Sequence, residues 1–140
     1  MINVPDVGAL AQLSRLLNNT WPTDKDLTLK LYTNNFTIED NTIASDFTEA
    51  TGGGYAAKTL ANGSWTVSVS GGIAQGIYAQ QVFTFSGPMI PNTVAYGYYV
   101  VDSDGVLQWA ETFSEPVSPV SAGNHIDITP KFQGSKGTPA

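Results

Sequence analysis

Short segments in which apolar and polar residues alternate occupy most of the chain after Pro22. In LTLKLYTN, residues 27–34, leucine alternates with Thr, Lys and Tyr, and SWTVSVS, residues 64–70, has the same period with Trp and Val. Because successive side chains of a β-strand point to opposite faces of the sheet, a period of two predicts half-buried strands. This pattern therefore favours a fold that is built mainly from β-sheet.

Further strand-like segments follow at regular intervals, with turn residues between them. Ser103, Asp104 and Gly105 separate two of these segments, and Gly105 can take a positive φ, so a tight hairpin is predicted there. The remaining predicted strands cover residues 55–60, 77–86, 94–102, 106–113 and 125–132. In the last of these, Ile126 and Ile128 share one face and Pro130 marks an edge or an end. About seven short strands predict an all-β fold, either a β-sandwich or a small barrel.

A single helix is predicted ahead of the strands, over DVGALAQLSRLLN, residues 6–18. Asp6 is expected to cap its N-terminus, and Asn18-Asn19 and Pro22 are expected to end it. Helical spacing places four leucines in one apolar stripe, namely Leu10, Leu13, Leu16 and Leu17. The stripe must cover either the domain's own sheet or a partner chain. We divide the chain into an N-terminal arm and helix, 1–26, and a β-sandwich body with a C-terminal tail, 27–140.

Composition argues against several classes of function. The net charge is −6 with only 6 Lys and Arg residues, which disfavours binding to nucleic acids and to anionic membranes. Cys 0 excludes zinc sites built on thiolates. No apolar stretch reaches the length of a membrane helix, and no signal peptide is predicted. Charged residues make up 13% of the chain, against about 25% in an average soluble domain. This low charge fits either a subunit of an assembly or an ordinary Thr-rich β domain.

Three consecutive glycines, Gly52 to Gly54, raise the question of a phosphate-binding loop. A P-loop requires a glycine directly before its Lys-Thr pair, and here Ala57 precedes Lys58 and Thr59. A dinucleotide motif also fails, because its third glycine and the βαβ unit are missing. The glycines are therefore expected to allow a sharp bend or a close backbone contact.

The titratable residues do not form a recognisable catalytic or metal-binding pattern. The one histidine, His125, shares a strand face with Asp127, but no serine stands in a strained turn as a nucleophile. The segment DSDG, residues 102–105, lacks the third acidic position and the distal Glu of a calcium loop. The other carboxylate pairs fall mostly in predicted turns; they are Asp24 with Asp26, Glu39 with Asp40, and Glu111 with Glu115. We therefore predict no catalytic residue, no cofactor and no metal.

Aromatic residues are the remaining candidates for a binding surface. Alternation places Tyr96 and Tyr98 on one face of their strand and Tyr99 on the other, so that one set lies in the core. The other set forms either a ligand platform or anchors of a protein interface, where Tyr and Trp are enriched. The predicted interface residues are Leu10, Leu13, Leu16, Leu17, Trp21 and Tyr99.

Several longer segments resemble a group of small structural proteins of tailed bacteriophages. The most specific are EATGGGYAAKTL and YGYYVVDSDGVLQWAE, supported by LTLKLYTNNFTIED, YAQQVFTFSG and IDITPKFQ. Together they span roughly residues 27–133, so the resemblance covers most of the body. It implies a component of the virion that has no enzymatic activity and no cofactor.

Within the virion, size, β-rich body, low charge and N-terminal arm favour a capsid decoration, or cement, protein. Its expected partners are the major coat protein and further copies of itself, as a homotrimer, with no nucleic acid and no membrane. It would be made in the host cytoplasm and located on the capsid surface, where its arm would extend onto the coat or a neighbour. Two alternatives are a tail, head-to-tail or fibre-base component, and a carbohydrate-binding module on the virion.

Overall fold

Nine strands lie within residues 2–134, which are the residues that the computed structural model describes, and most of them coincide with the alternating segments. The order of elements is α1 (Asp6–Asn18), β1 (Leu27–Tyr32), a 3-10 turn (Ala44–Asp46), β2 (Lys58–Leu60), β3 (Thr66–Ser70), β4 (Ile73–Ile77), β5 (Gln81–Thr84), β6 (Ala95–Val101), β7 (Leu107–Val117), β8 (His125–Ile128) and β9 (Lys131–Gly134). Residues 135–140 of the predicted C-terminal tail lie outside the described residues. The all-β class and the N-terminal helix are confirmed.

The strands form three antiparallel sheets. The central sheet has the order β2-β1-β6-β7, the outer sheet has the order β3-β4-β9, and β5 pairs with β8. The β6–β7 hairpin turns at Gly105 with a φ of 81°, as its sequence predicts. The sheets pack on each other in a sandwich-like arrangement.

The main core lies between one face of the central sheet and the β5–β8 pair. Leucines of β1 and valine of β6 meet phenylalanines and isoleucines from the opposite layer, as the alternation predicts. The larger members of this cluster are Leu29, Leu31, Phe83, Phe85, Met89, Val100, Ile126 and Ile128. The predicted shared face of Ile126 and Ile128 is confirmed.

A second apolar cluster covers the opposite face of the central sheet. The loop after β1 supplies Phe36 and Phe47, and α1 supplies Val7, which pack on Tyr99 and other residues of the sheet. Both Tyr98 and Tyr99 are consequently buried, at 3% and 4% exposure. The prediction that only one of these faces belongs to the core was wrong, because an irregular loop and a helix form a third layer over the sheet.

Two predicted strands are each divided in the structure. The segment 77–86 ends β4 at Ile77 and begins β5 at Gln81, and the segment 125–132 is interrupted at Pro130, which separates β8 from β9. The buried Pro130 has no N–H to donate, and its carbonyl accepts from the N–H of Tyr78 at 2.9 Å. The prediction of a strand end at this proline is confirmed.

The glycine triad forms the sharp bend that its sequence predicts. Gly52, Gly53 and Gly54 have φ values of 75°, 60° and 81°, a backbone region that L-residues rarely adopt. A Cβ on Gly53 would lie 2.5 Å from the carbonyl oxygen of Gly87. The carbonyl of Gly53 also accepts from the N–H of Ser86 at 2.8 Å. The triad therefore holds the segment before β2 against the segment after β5.

Candidate interaction surface

Helix α1 lies against β7 with its backbone unusually close to the strand. Gly8 is buried there, and a Cβ on it would overlap the carbonyl oxygen of Gln108. The helix begins after Pro5 and ends at Asn19, whose left-handed φ of 55° lets its N–H reach the Arg15 carbonyl. Asp6 makes no capping hydrogen bond, so its predicted capping role was wrong, although the predicted helix bounds were right.

A buried polar network fixes the rotation of the helix about its axis. The Arg15 guanidinium donates to Gln108 Oε1 at 3.0 Å and forms an ion pair with Asp102 Oδ2. The other oxygen of Asp102 accepts the backbone N–H groups of Asp104 and Val106 at 3.0 and 2.9 Å. Arg15, Asp102 and Gln108 are all buried, and we call these three residues the Arg15 anchor. Buried charges of this kind are stable only when they are paired and hydrogen-bonded.

Because Gly8 and Arg15 face the sheet, the leucines of the helix face away from it. Each residue of an α-helix is rotated by about 100° from the one before, so Leu10, Leu13 and Leu17 lie roughly opposite Arg15. Leu16 lies to one side, about 100° from Arg15. The exposed fractions are 67% for Leu10, 57% for Leu13, 77% for Leu16 and 73% for Leu17. We call these four residues the leucine ridge. The leucine ridge therefore does not cover the protein's own sheet.

The two aromatic residues of the predicted interface have different positions. Trp21 is 46% exposed, and the Arg15 guanidinium and the Lys25 ammonium each lie 5.4 Å from its ring centroid. Tyr99 is instead stacked on Phe47 in the second cluster, with 4.4 Å between ring centroids. Tyr99 is therefore part of the core and is not accessible as an interface anchor.

An apolar groove that the sequence did not reveal lies between the outer sheet and the edge of the central sheet. Its volume is about 320 Å³, and its lining residues are Leu27, Trp65, Val67, Ala74, Gln75, Gly76, Trp109 and Phe132. Trp109 lies 6.0 Å from Trp65 and 5.0 Å from Phe132 between ring centroids. We call this feature the aromatic groove. Alternation alone could not reveal it, because its residues come from five separate strands and a loop.

The Trp109 indole N–H adds little polarity to the aromatic groove. It is buried and has no acceptor in regular hydrogen-bonding geometry. Burial and the charge of Glu111 raise the pKa of Tyr98, and the Trp109 side chain opposes this rise. The indole N–H is therefore buried and not available to an occupant of the groove. The groove is left almost without polar groups.

Several titratable residues form isolated pairs, and others accept hydrogen bonds within turns. His125 Nδ1 lies 2.8 Å from Asp127 Oδ1 on an exposed strand face, as predicted. Asp24 accepts the N–H of Asp26 at 2.9 Å, so the expectation of turn chemistry is confirmed for this pair and for Asp102 with Asp104. Among residues 2–134, no group of three or more His, Asp or Glu side chains is placed to hold a metal ion. No helix in that part of the chain is long and apolar enough to span a membrane.

Comparison with protein-family models, curated proteins and solved structures finds no match for this chain.

Proposed function

We propose that the protein is a non-enzymatic structural component of a phage virion, which decorates the coat-protein shell by docking its leucine ridge on a protein partner. The observation that carries this proposal is the ridge itself: four leucines, each more than half exposed, on a helix that the Arg15 anchor holds in one orientation. The assignment to a virion is supported by the resemblance of EATGGGYAAKTL and YGYYVVDSDGVLQWAE to phage structural proteins.

The size of the ridge suits a contact that is repeated many times. Burying a leucine side chain fully contributes about 1.5–3 kcal/mol, so the exposed part of four leucines offers roughly 4–8 kcal/mol. Association costs a comparable amount in lost translational and rotational freedom. One ridge is therefore a weak site, and strong attachment requires several linked copies. A homotrimer on a shell provides such linkage, because later contacts form at a high effective concentration.

The N-terminal contact in this proposal differs from the extended arm that the sequence favoured. The sequence favoured an arm that extends from the body, whereas α1 is folded back on β7 of its own chain. In the present proposal the helix stays docked and presents the ridge to the major coat protein. Trp21, half-exposed beside the anchor, extends this surface towards the aromatic groove.

The first experiment measures the copy number of the protein relative to the major coat protein in purified virions, by quantitative mass spectrometry. A ratio near parity supports decoration of the whole shell. A ratio of a few per cent overturns decoration and favours the tail, head-to-tail or fibre-base alternative. Absence from the particle overturns every virion role.

The second experiment tests the ridge. We expect the double substitution Leu13→Ser and Leu17→Ser to weaken binding to shells that lack the protein by at least tenfold. Val120→Ser is the matched control, because Val120 is also a largely exposed aliphatic residue but lies far along the chain from the helix. Binding of the double variant at the level of the control would contradict the proposal.

The carbohydrate-binding alternative gains no support from Tyr99 or from the aromatic groove. Sugar recognition needs exposed rings together with polar groups for the hydroxyls. Tyr99 is buried, and Gln75 is the one residue lining the aromatic groove that carries an amide, hydroxyl or charged side chain. The groove suits an apolar occupant better than a sugar.

A further inference from the structure

Strand β3 forms a free edge of the outer sheet. It pairs with β4 on one side, and the sheet order β3-β4-β9 leaves its other side open. All five of its side chains are exposed, including Val67 at 78% and Val69 at 69%. An open edge presents a row of backbone N–H and C=O groups to any strand that can approach it.

Nothing on β3 protects this edge from pairing. Natural edge strands are usually blocked by a charged residue, a proline, a bulge or a covering segment. β3 contains neither a charge nor a proline, and its register with β4 runs without a shift. The chain has no Asp, Glu, Lys, Arg or His from Thr59 to Val101, so the whole hairpin is uncharged.

The edge of the central sheet shows the contrast. There β7 carries Pro116, its pairing with β6 contains register shifts, and the N-terminal segment covers part of it. Asn3 bridges to Ala110 with two backbone hydrogen bonds of 2.8 and 2.9 Å. One edge is therefore shielded in several ways, and the edge of β3 is not shielded by any of them.

The sequence of β3 is symmetric about Ser68. It reads Thr-Val-Ser-Val-Ser, with a valine on each side of Ser68 and a hydroxyl residue at each end. We propose that β3 pairs antiparallel with β3 of a second copy of this chain, about a two-fold axis at Ser68. In this register Ser68 faces its own equivalent, Val67 faces Val69 of the second copy, and Thr66 faces Ser70 of the second copy.

A second copy provides matching side chains for both faces of the strand in a single register. Valines meet valines on one face and hydroxyl groups meet hydroxyl groups on the other, which are favourable cross-strand pairs. The contact is isologous, as a two-fold axis requires. Each chain carries a net charge of −6, but the uncharged hairpin keeps the repelling charges away from the contact.

This pairing does not depend on the leucine ridge or on a virion partner. It joins two outer sheets into one continuous six-stranded sheet. If the body is a trimer on a shell, the β3 contact links one trimer to its neighbour, whereas the ridge links each trimer to the coat.

A cysteine substitution tests the register directly, because the chain has Cys 0 and a single cysteine can pair only between copies. Directly opposed residues of antiparallel strands have Cα atoms about 4.5–5.5 Å apart, which suits a disulfide. We expect Ser68→Cys to give a disulfide-linked dimer in high yield under mild oxidation of the folded protein. In an equimolar mixture of Val67→Cys and Val69→Cys, the heterodimer should make up well over the half of all dimer that random pairing would give.

Gln75→Cys is the matched control, because Gln75 pairs with Ser68 inside one chain but lies on β4. In the paired sheet two Gln75 residues are three strand spacings apart, about 14 Å, which is too far for a disulfide. Equal dimer yields for Ser68→Cys and Gln75→Cys would indicate random collision and would overturn the proposal. So would a monomeric Ser68→Cys protein with an unchanged folding transition.

A charge at the axis provides the second test. We expect the unmodified protein to associate in pairs with rising concentration in sedimentation velocity, two single chains or two trimers at a time. Ser68→Lys should lose this pairing at the same concentrations, since two ammonium groups would meet at the axis. Pairing that persists in Ser68→Lys, or an unmodified protein whose sedimentation coefficient does not rise with concentration, contradicts the β3 contact.

Discussion

The central sheet and the outer sheet are encoded by the same kind of alternation but have opposite environments. Leu29 and Leu31 of β1 are fully buried, whereas Val67 and Val69 of β3 are the most exposed large aliphatic residues of any strand that the structure describes. The difference lies in what covers each sheet. The central sheet has a layer on both faces, and the outer sheet meets the core mainly through Trp65 and Phe132. Alternation thus predicts a strand but does not tell which side will be covered.

In helix α1 the usual burial of apolar and charged side chains is reversed. Arg15 is buried because it pairs with the Asp102 carboxylate, which lies just after β6. The leucines are exposed because the helix backbone at Gly8 lies too close to β7 to leave room for a large side chain on that face. Both α1 and β3 therefore present apolar residues outwards. Substitutions in these exposed surfaces and in the covered centre should change the free energy of unfolding by different amounts.

The largest effect is expected at the Arg15 anchor. Replacing Asp102 by alanine leaves the Arg15 charge buried without its partner and removes two turn hydrogen bonds, so the free energy of unfolding should fall by about 3–5 kcal/mol. Urea unfolding measures this loss. Asp104→Ala in the same turn is the control and should stay within about 0.5 kcal/mol. A loss below about 1 kcal/mol for Asp102→Ala would show that the anchor does not hold the helix.

A matched pair of core and edge substitutions compares the two sheets directly. Leu31→Ala in β1 should lower the free energy of unfolding by about 2–5 kcal/mol, because it opens a cavity in a fully buried site. Val69→Ala in β3 should change it by less than about 0.5 kcal/mol when measured at concentrations where the protein is monomeric. Similar losses at both positions would mean that the outer sheet is covered as well.

Alkaline pH should weaken the covered part of the molecule. Burial raises the pKa of Tyr32, Tyr55, Tyr98 and Tyr99 above the usual value of 10.0, with additional effects of Glu49 on Tyr55 and Tyr99. The unfolded chain therefore loses these protons first, and the free energy of unfolding should fall as the pH rises above about 10. Each buried tyrosine adds a slope of about 1.4 kcal/mol per pH unit.

Urea unfolding between about pH 8 and pH 11 checks this expectation, together with tyrosinate absorbance of the folded protein. Tyr98→Phe is the matched variant, since its slope should be shallower by one tyrosine. A free energy of unfolding that does not change over this range would contradict the expected burial of the four hydroxyl groups.

The smallest effect on stability is expected at the leucine ridge. Leu16→Ser should change the free energy of unfolding by less than about 0.5 kcal/mol, because its side chain is already in water in the single chain. Thermal unfolding of dilute protein measures this change. A clear loss of stability would show that the ridge is covered even in the isolated protein, for example by another copy.

The sequence predicted where helices, strands and turns lie better than it predicted which side chains they bury. The bounds of α1 and the bend at the glycine triad were correct, because local patterns determine them. β4 was not predicted, since IAQGI contains Ala and Gly and lacks a clear alternation. The burial of Arg15 and Tyr99 could not be predicted, because it depends on an acid and on a loop that are distant in the sequence.

That distance affects how the chain acquires its structure during synthesis. Arg15 precedes Asp102 by 87 positions and Gln108 by 93. At about 5–20 residues per second, the ribosome needs roughly 4–17 s to deliver the carboxylate after the arginine. During that time the helix has no place to dock, and its leucines and its charge are both in contact with solvent or with a chaperone. Helix α1 is thus fixed only after β6 and the start of β7 have been made, and the direction in which the leucines finally point is decided by the β6–β7 turn.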